Sequence, residues 1–240
     1  MKVSTYSVLF FLILSHSLWA INIDSLKVQL EKGSELEKLE TMLHLSKAYW
    51  TISPSNGMYY ANEAIKLAEE QNDQNKKAKA LLYGGVNAWF MGVYDDAIEY
   101  YQKSLTIARK IQDKRLCAYN LNNLGMVNTY LKNYEEAIEN YTESSQIIEE
   151  QFDEIEFAKI QNNIAELNML LGNLDRALEL HLSVLDIIEK SDEQIFLIWL
   201  YNNIGTIYSS QERYEEALEF YEKGADLKKM IGDSEGMTSA

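Results

Sequence analysis

The side chains best able to do chemistry in this chain are few and scattered. Outside the N-terminal leader, where His16 lies, the histidines are His44 and His181, each alone on an apolar helical stretch. A packed imidazole is the reading expected of such positions, not a general base. Cys117 is the single cysteine, which excludes an internal disulfide and a cysteine-based metal site. The acidic run Glu149-Glu150, Asp153-Glu154 and Glu156 lacks the alternating Asp and Gly spacing of a calcium loop. No phosphate-cradling glycine loop, no H-E-x-x-H and no nucleophile elbow occurs. The expectation is therefore no enzyme, no catalytic residue, no metal and no cofactor. What remains is amide chemistry: Asn122-Asn123, Asn162-Asn163 and Asn202-Asn203. Asparagine is a mediocre helix former, yet it recurs in helical stretches at equivalent positions. Each carboxamide offers two donors and an acceptor, so a row of them can pair with the backbone of an extended peptide.

The asparagine pairs recur every 40 residues, and so does a second marker. Ala97, Ala137, Ala177 and Ala217 each sit inside a motif such as Tyr94-Asp95-Asp96-Ala97-Ile98 or Tyr134-Glu135-Glu136-Ala137-Ile138. Two independent markers sharing one period define an internal repeat. A divergent copy fits one step earlier, with Gly57 in the alanine position and Ala64 matching Ser104. There, a helix from Met42 to Thr51 precedes one from Met58 to Glu70, across a turn-rich stretch from Ile52 to Gly57 that holds the only proline, Pro54.

Each unit reads as two amphipathic helices. Leu121, Leu124, Gly125, Asn128 and Leu131 mark one face of the first, and Ala137, Ile138, Tyr141, Ser144, Ser145 and Ile148 one face of the second. Breaks as short as Lys132-Asn133 or Gly172-Asn173 force antiparallel hairpins. Gly85, Gly125, Ala165 and Gly205 recur on the first helices. A helical Gly costs about 1 kcal/mol relative to Ala, so its repeated use implies close helix–helix approach. Tyr94, Tyr134 and Tyr214, with Leu174 once in their place, are expected to pack back on the hairpin corners. The resulting division is a leader at 1–20, a short helix within 21–37, and repeats at 38–77, 78–117, 118–157, 158–197 and 198–237. Residues 238–240 open a sixth unit, because Ile231-Gly232-Asp233 matches the break at Ile111-Gln112-Asp113. With no polar capping helix after it, the chain reads as a fragment of a longer protein.

The run Ile204-Gly205-Thr206-Ile207-Tyr208, followed by Tyr214, Ala217 and Tyr221, resembles the tetratricopeptide repeat. The period here is longer than the common one, the closing Pro is absent, and Ala165 and His181 replace the usual Gly and aromatic residue in the fourth unit. The resemblance implies an all-α fold, a right-handed superhelical solenoid of antiparallel helix pairs whose first helices line a concave groove. Groove positions are then Tyr83, Val86, Phe90, Asn123, Met126, Tyr130, Asn163, Glu166, Asn203, Thr206 and Ser210. In similar proteins that bind peptides the second Asn of the pair contacts the ligand backbone, which carries to Asn123, Asn163 and Asn203, with Tyr83, Tyr130 and Glu166 beside them. Holding neighbouring helices in register is the other role open to these asparagines, and the first Asn of each pair reads as structural. Lys159 is the one plausible base in the groove, too little for a clamp that grips a ligand carboxylate. Tyr83, Trp89 and Phe90 read as core more than as an apolar subsite.

The formal charge of -15 argues against nucleic acid and anionic membranes as partners. Most of the carboxylates read as a solvated face, with attraction to a basic partner as the sharper alternative. The partner expected is a protein or peptide. Lys2, the apolar run Val8 to Leu14 and a small residue at Ala20 form a secretory pattern, too short to span a membrane comfortably. An exported, secreted or periplasmic binding scaffold is the first expectation, with an uncleaved anchor as a variant. The alternative is the extracytoplasmic sensory half of a transmembrane signalling protein with a kinase, cyclase or DNA-binding output. A hydrolase using Glu166 or His181 is the third and least supported reading.

Overall fold

The structure, a computed structural model, describes residues 22–149 and 154–238. The leader expected at 1–20 lies outside them. Eleven α-helices and no strand occur among the described residues, in two compact units. The N-terminal unit holds α1 (Ile23–Lys32), α2 (Glu35–Ala48), α3 (Pro54–Glu70), α4 (Gln74–Met91), α5 (Tyr94–Lys110), α6 (Lys114–Leu131) and α7 (Tyr134–Glu149). The C-terminal unit holds α8 (Glu154–Leu170), α9 (Leu174–Ile188), α10 (Gln194–Ser210) and α11 (Tyr214–Thr238). Among the described residues no helix is long and apolar enough to cross a membrane.

Helix starts and stops repeat with the sequence. Asp73 and Asp113 cap α4 and α6, their carboxylates accepting from the amides of Lys76 at 3.0 Å and Leu116 at 2.9 Å. The tight turn between first and second helix puts Gly92, Lys132, Gly172 and Glu212 in the left-handed region at φ 75°, 65°, 81° and 61°. These four positions are one period apart. Two of them are not glycine, so the hairpin imposes a conformation that L-residues adopt at a cost. The first turn departs from the expected Ile52–Gly57 loop. Pro54 opens α3 as its first residue, where the missing amide hydrogen is no loss, and Gly57 lies inside the helix.

The small residues are there for close packing. A Cβ on Gly85, Gly125 or Gly205 would stand 2.5, 2.6 or 2.8 Å from a ring carbon of Tyr101, Tyr141 or Tyr221. In these three repeats the first helix thus seats the tyrosine ring of the second helix directly on its backbone. The fourth repeat has Ala165 and His181 at these two positions, and both are fully buried. A smaller ring leaves room for the methyl group, so the two departures from the repeat pattern compensate each other. Gly57 shows the same logic in the first repeat: its Cβ would overlap the Asn87 Oδ1 at 1.9 Å. Asn87 stands where later repeats bury Val127, Leu167 and Ile207, and its amide nitrogen donates to Ser46 Oγ at 3.1 Å and to the Tyr83 carbonyl at 2.8 Å.

The N-terminal unit has a core of Leu39, Leu43, Ala64, Ala68 and Ala80, and its second helices are further pinned by buried hydroxyls. Ser104 donates to the Ala78 carbonyl at 2.7 Å and Ser144 to the Ala118 carbonyl at 2.8 Å, the same bond one repeat later. In the C-terminal unit the core is Ala158, Val184, Ile188, Phe196, Leu200, Ile204, Tyr208 and Ala217.

Two expectations are corrected. Tyr94 packs on its hairpin corner, with ring centroids 5.2 Å from Trp89 and 4.5 Å from Tyr130. Tyr214 does not, and is 65% exposed. The partner that covers Tyr94 is supplied by α6, the next first helix, and no helix stands in that relation to Tyr214 among the described residues. The break expected at Ile231-Gly232-Asp233 is absent as well, since the backbone of α11 stays helical to Thr238. At the matching site Gln112 is left-handed, at φ 59°, and Asp113 caps α6.

Candidate functional site

The first helices of the C-terminal unit carry a buried polar network that helix packing does not require. Asn162 and Glu166 lie one turn apart on α8, so their side chains meet, and Asn162 Nδ2 donates to Glu166 Oε1 at 3.1 Å. Asn203 on α10 reaches the same oxygen from the neighbouring first helix at 3.3 Å. Glu166 is 4% exposed, with Asn163 at 7% and Asn203 at 8%. The other carboxyl oxygen, Oε2, is buried and has no hydrogen-bond partner, and the same holds for Asn162 Oδ1. Burial pushes the Glu166 carboxyl up to about 7, against the opposing pull of the two amide donors.

Among the described residues no cation is paired with it. Lys159, the base placed in the groove from sequence, is held by Glu156 at 3.0 Å and Glu193 at 3.6 Å. His181 is fully buried with neither ring nitrogen hydrogen-bonded. Desolvation lowers its pKa to about 3, so the ring is neutral. No hydrogen bond joins His181 to Glu166.

In the N-terminal unit the corresponding face is more apolar. Asn123 is 5% exposed and its Oδ1 is buried without a partner. Asn122 approaches Met126 Sδ at 3.9 Å, the spacing that in α8 joins Asn162 to Glu166. Tyr83 stands one period before Asn123, so a phenol takes the place of the amide there; it is half-buried, edge-on to Trp50 at 5.5 Å, and burial raises its pKa. Tyr130 is 40% exposed and completes an aromatic cluster with Trp89 and Tyr94. Burial, followed by the hydrogen bond with Tyr130, pushes the Tyr94 phenol up to about 12.

Among the remaining groove positions, Val86 and Met126 are buried, and Phe90 and Thr206 half-buried. Thr206 Oγ1 donates to the Asn202 carbonyl at 2.8 Å, and exposed Ser210 donates to the Thr206 carbonyl at 2.8 Å. Asn202, the first of its pair, donates to the Ile198 carbonyl at 2.9 Å. The structure therefore joins Glu166 to Asn203 within the C-terminal unit, and gathers Tyr130 with Trp89 within the N-terminal one. Sequence reasoning missed Asn162, assigned to structure as the first of its pair. The four-residue spacing to Glu166 on one helix was the signal that could have revealed it.

The comparisons with known proteins agree with this architecture. The tetratricopeptide repeat profile matches residues 76–150 and 156–230, together more than half of the chain. No curated protein sequence matches the chain. Among solved structures, BtubC (BKLC) from P. vanneervenii superposes with a TM-score of 0.73 at 18% identity, over 88% of each chain. A Rap protein complexed with Competence and Sporulation Factor gives 0.62 at 18% identity, covering 88% of this chain and 70% of that one. A kinesin light chain-like repeat protein of Podosopora anserina gives 0.65 at 13% identity, over 84% of this chain and 99% of that one. At these identities the likeness is one of fold. The repeat register, the paired helices and the profile match converge: the chain belongs to the tetratricopeptide repeat family.

Proposed function

We propose that this chain is a protein- or peptide-binding scaffold that receives an extended polypeptide on the first-helix side of its repeats. The observation that carries the reading is the pair of buried, unpartnered acceptors on α8 of the C-terminal unit, Asn162 Oδ1 and Glu166 Oε2; in the N-terminal unit Asn87, Asn120 and Asn123 each leave Oδ1 unpartnered on a first helix. A buried acceptor without a donor costs about 1–3 kcal/mol, and a ligand whose backbone or side chains bring N–H groups relieves that cost. The fold is compatible with such use, since the similar Rap protein was solved in complex with a factor. Within the C-terminal unit Asn163 and Asn203, one period apart, suit a backbone whose amides recur regularly.

The test is selection of a displayed library of random decapeptides by the full chain and by a triple variant with Asn123, Asn163 and Asn203 each changed to Ala. We expect the wild type to enrich binders and the triple variant to lose them by at least about tenfold while circular dichroism shows retained helicity. Equal enrichment by a helical triple variant would reject the site. The secretory pattern at residues 1–20 further supports a proposal of export. Cell fractionation with intact-mass measurement of the N-terminus tests it, and an unprocessed chain confined to the cytosol would reject it.

A further inference from the structure

We propose that Glu166 is the acceptor for a basic side chain of the bound polypeptide, a lysine ammonium or an arginine guanidinium. The inference rests on the peptide-binding reading above and adds a specificity to it.

The repeat register shows that the carboxyl is not there for the fold. The same position is Ser46, Val86, Met126 and Thr206 in the other repeats, so an apolar or hydroxyl side chain serves the packing equally well. Only the fourth repeat places an ionisable group there, and it does so at 4% exposure. The local bonding is lopsided. Both amides, from Asn162 and Asn203, converge on Oε1, while Oε2 is buried with nothing to accept from. A carboxylate can accept about four hydrogen bonds, so half of its capacity is idle. Among the described residues, burial and the two amides are what act on its acidity. Lys159, the only base on α8 and α10, is already engaged by Glu156 and Glu193.

The chemistry of the missing partner follows from these facts. With Glu166 ionised, a neutral N–H at Oε2 would satisfy one lone pair but leave the charge buried. A cation satisfies the oxygen and the charge together, in a charge-assisted hydrogen bond. Oε2 is enclosed, and lysine and arginine carry their charge on a long, slender stem. The net charge of -15 attracts basic segments at long range.

The decapeptide selection decides this when it is run with the wild type and with Glu166→Gln, which keeps the side-chain shape. We expect lysine or arginine to be enriched at one peptide position by the wild type and not by Glu166→Gln. For one selected peptide, Glu166→Gln and replacement of its basic residue by Gln should each weaken binding at least about tenfold, and the two together little more than either alone. Wild-type binders without a basic preference, or a preference that survives Glu166→Gln, would overturn the assignment while leaving peptide binding intact. Failure of the wild type to enrich any peptide would overturn both.

Discussion

Replacing Glu166 by Gln isolates the energetic consequence of its burial, independently of any ligand. The native carboxyl holds its proton up to about pH 7, whereas the unfolded chain releases it near the ordinary value of 4.5. Between those values the folded state binds more protons than the unfolded one, so this group's stability contribution is complete below pH 4.5 and is lost as pH rises through 7. Converted at about 1.4 kcal/mol per pH unit, the loss reaches an upper bound of about 3 kcal/mol. Urea unfolding followed by circular dichroism at pH 5 and pH 8 measures it as the difference between wild type and Glu166→Gln, in which all other titrating groups cancel. At pH 5 the two chains should agree within about 0.5 kcal/mol, and at pH 8 the variant should be more stable by up to about 3 kcal/mol. Glu166→Met, which copies Met126 of the preceding repeat, should show the same gain at pH 8. A stability difference that does not change with pH, or a Glu166 carboxyl titrating in the ordinary glutamate range by NMR, refutes the reasoning.

Other perturbations read the packing. Gly125→Ala places a methyl group 2.6 Å from Tyr141 Cε1 and should cost about 1–3 kcal/mol. Adding Tyr141→His, which copies the Ala165 and His181 pair, should recover most of that loss in thermal denaturation; no recovery would break the proposed complementarity. Cys117 is 6% exposed and burial raises its thiol pKa, so it should react with an aromatic disulfide reagent at pH 7.5 far more slowly in the folded chain than in urea. Lys159→Met leaves Glu156 and Glu193 without their shared base and should destabilise the C-terminal unit by about 1–2 kcal/mol, less as salt is added; an effect insensitive to salt would assign the loss to packing.

Much of the fold was legible in the residues because each repeat states the same local instructions. The period, the two amphipathic helices per unit and the Gly or Ala at each close approach are all short-range patterns, and the helices obey them. Even the exchange at Ala165 and His181 was visible as a departure, although only the seating of Tyr101, Tyr141 and Tyr221 on glycine backbones explains why the two changes occur together. The tertiary structure alone decided the rest. Lys132 and Glu212 adopt left-handed turns that neither residue type favours, because the packed hairpin demands them. Tyr214 is exposed and Tyr94 covered, from the same motif, because the covering residue comes from a different helix. The hydrogen bond from Asn203 to Glu166 joins residues 37 positions apart, and no pattern within either helix encodes it. It exists because stacking sets neighbouring first helices side by side. That same burial removes water from a carboxyl which sequence reading could place on the right face but could not assign a proton or a missing partner.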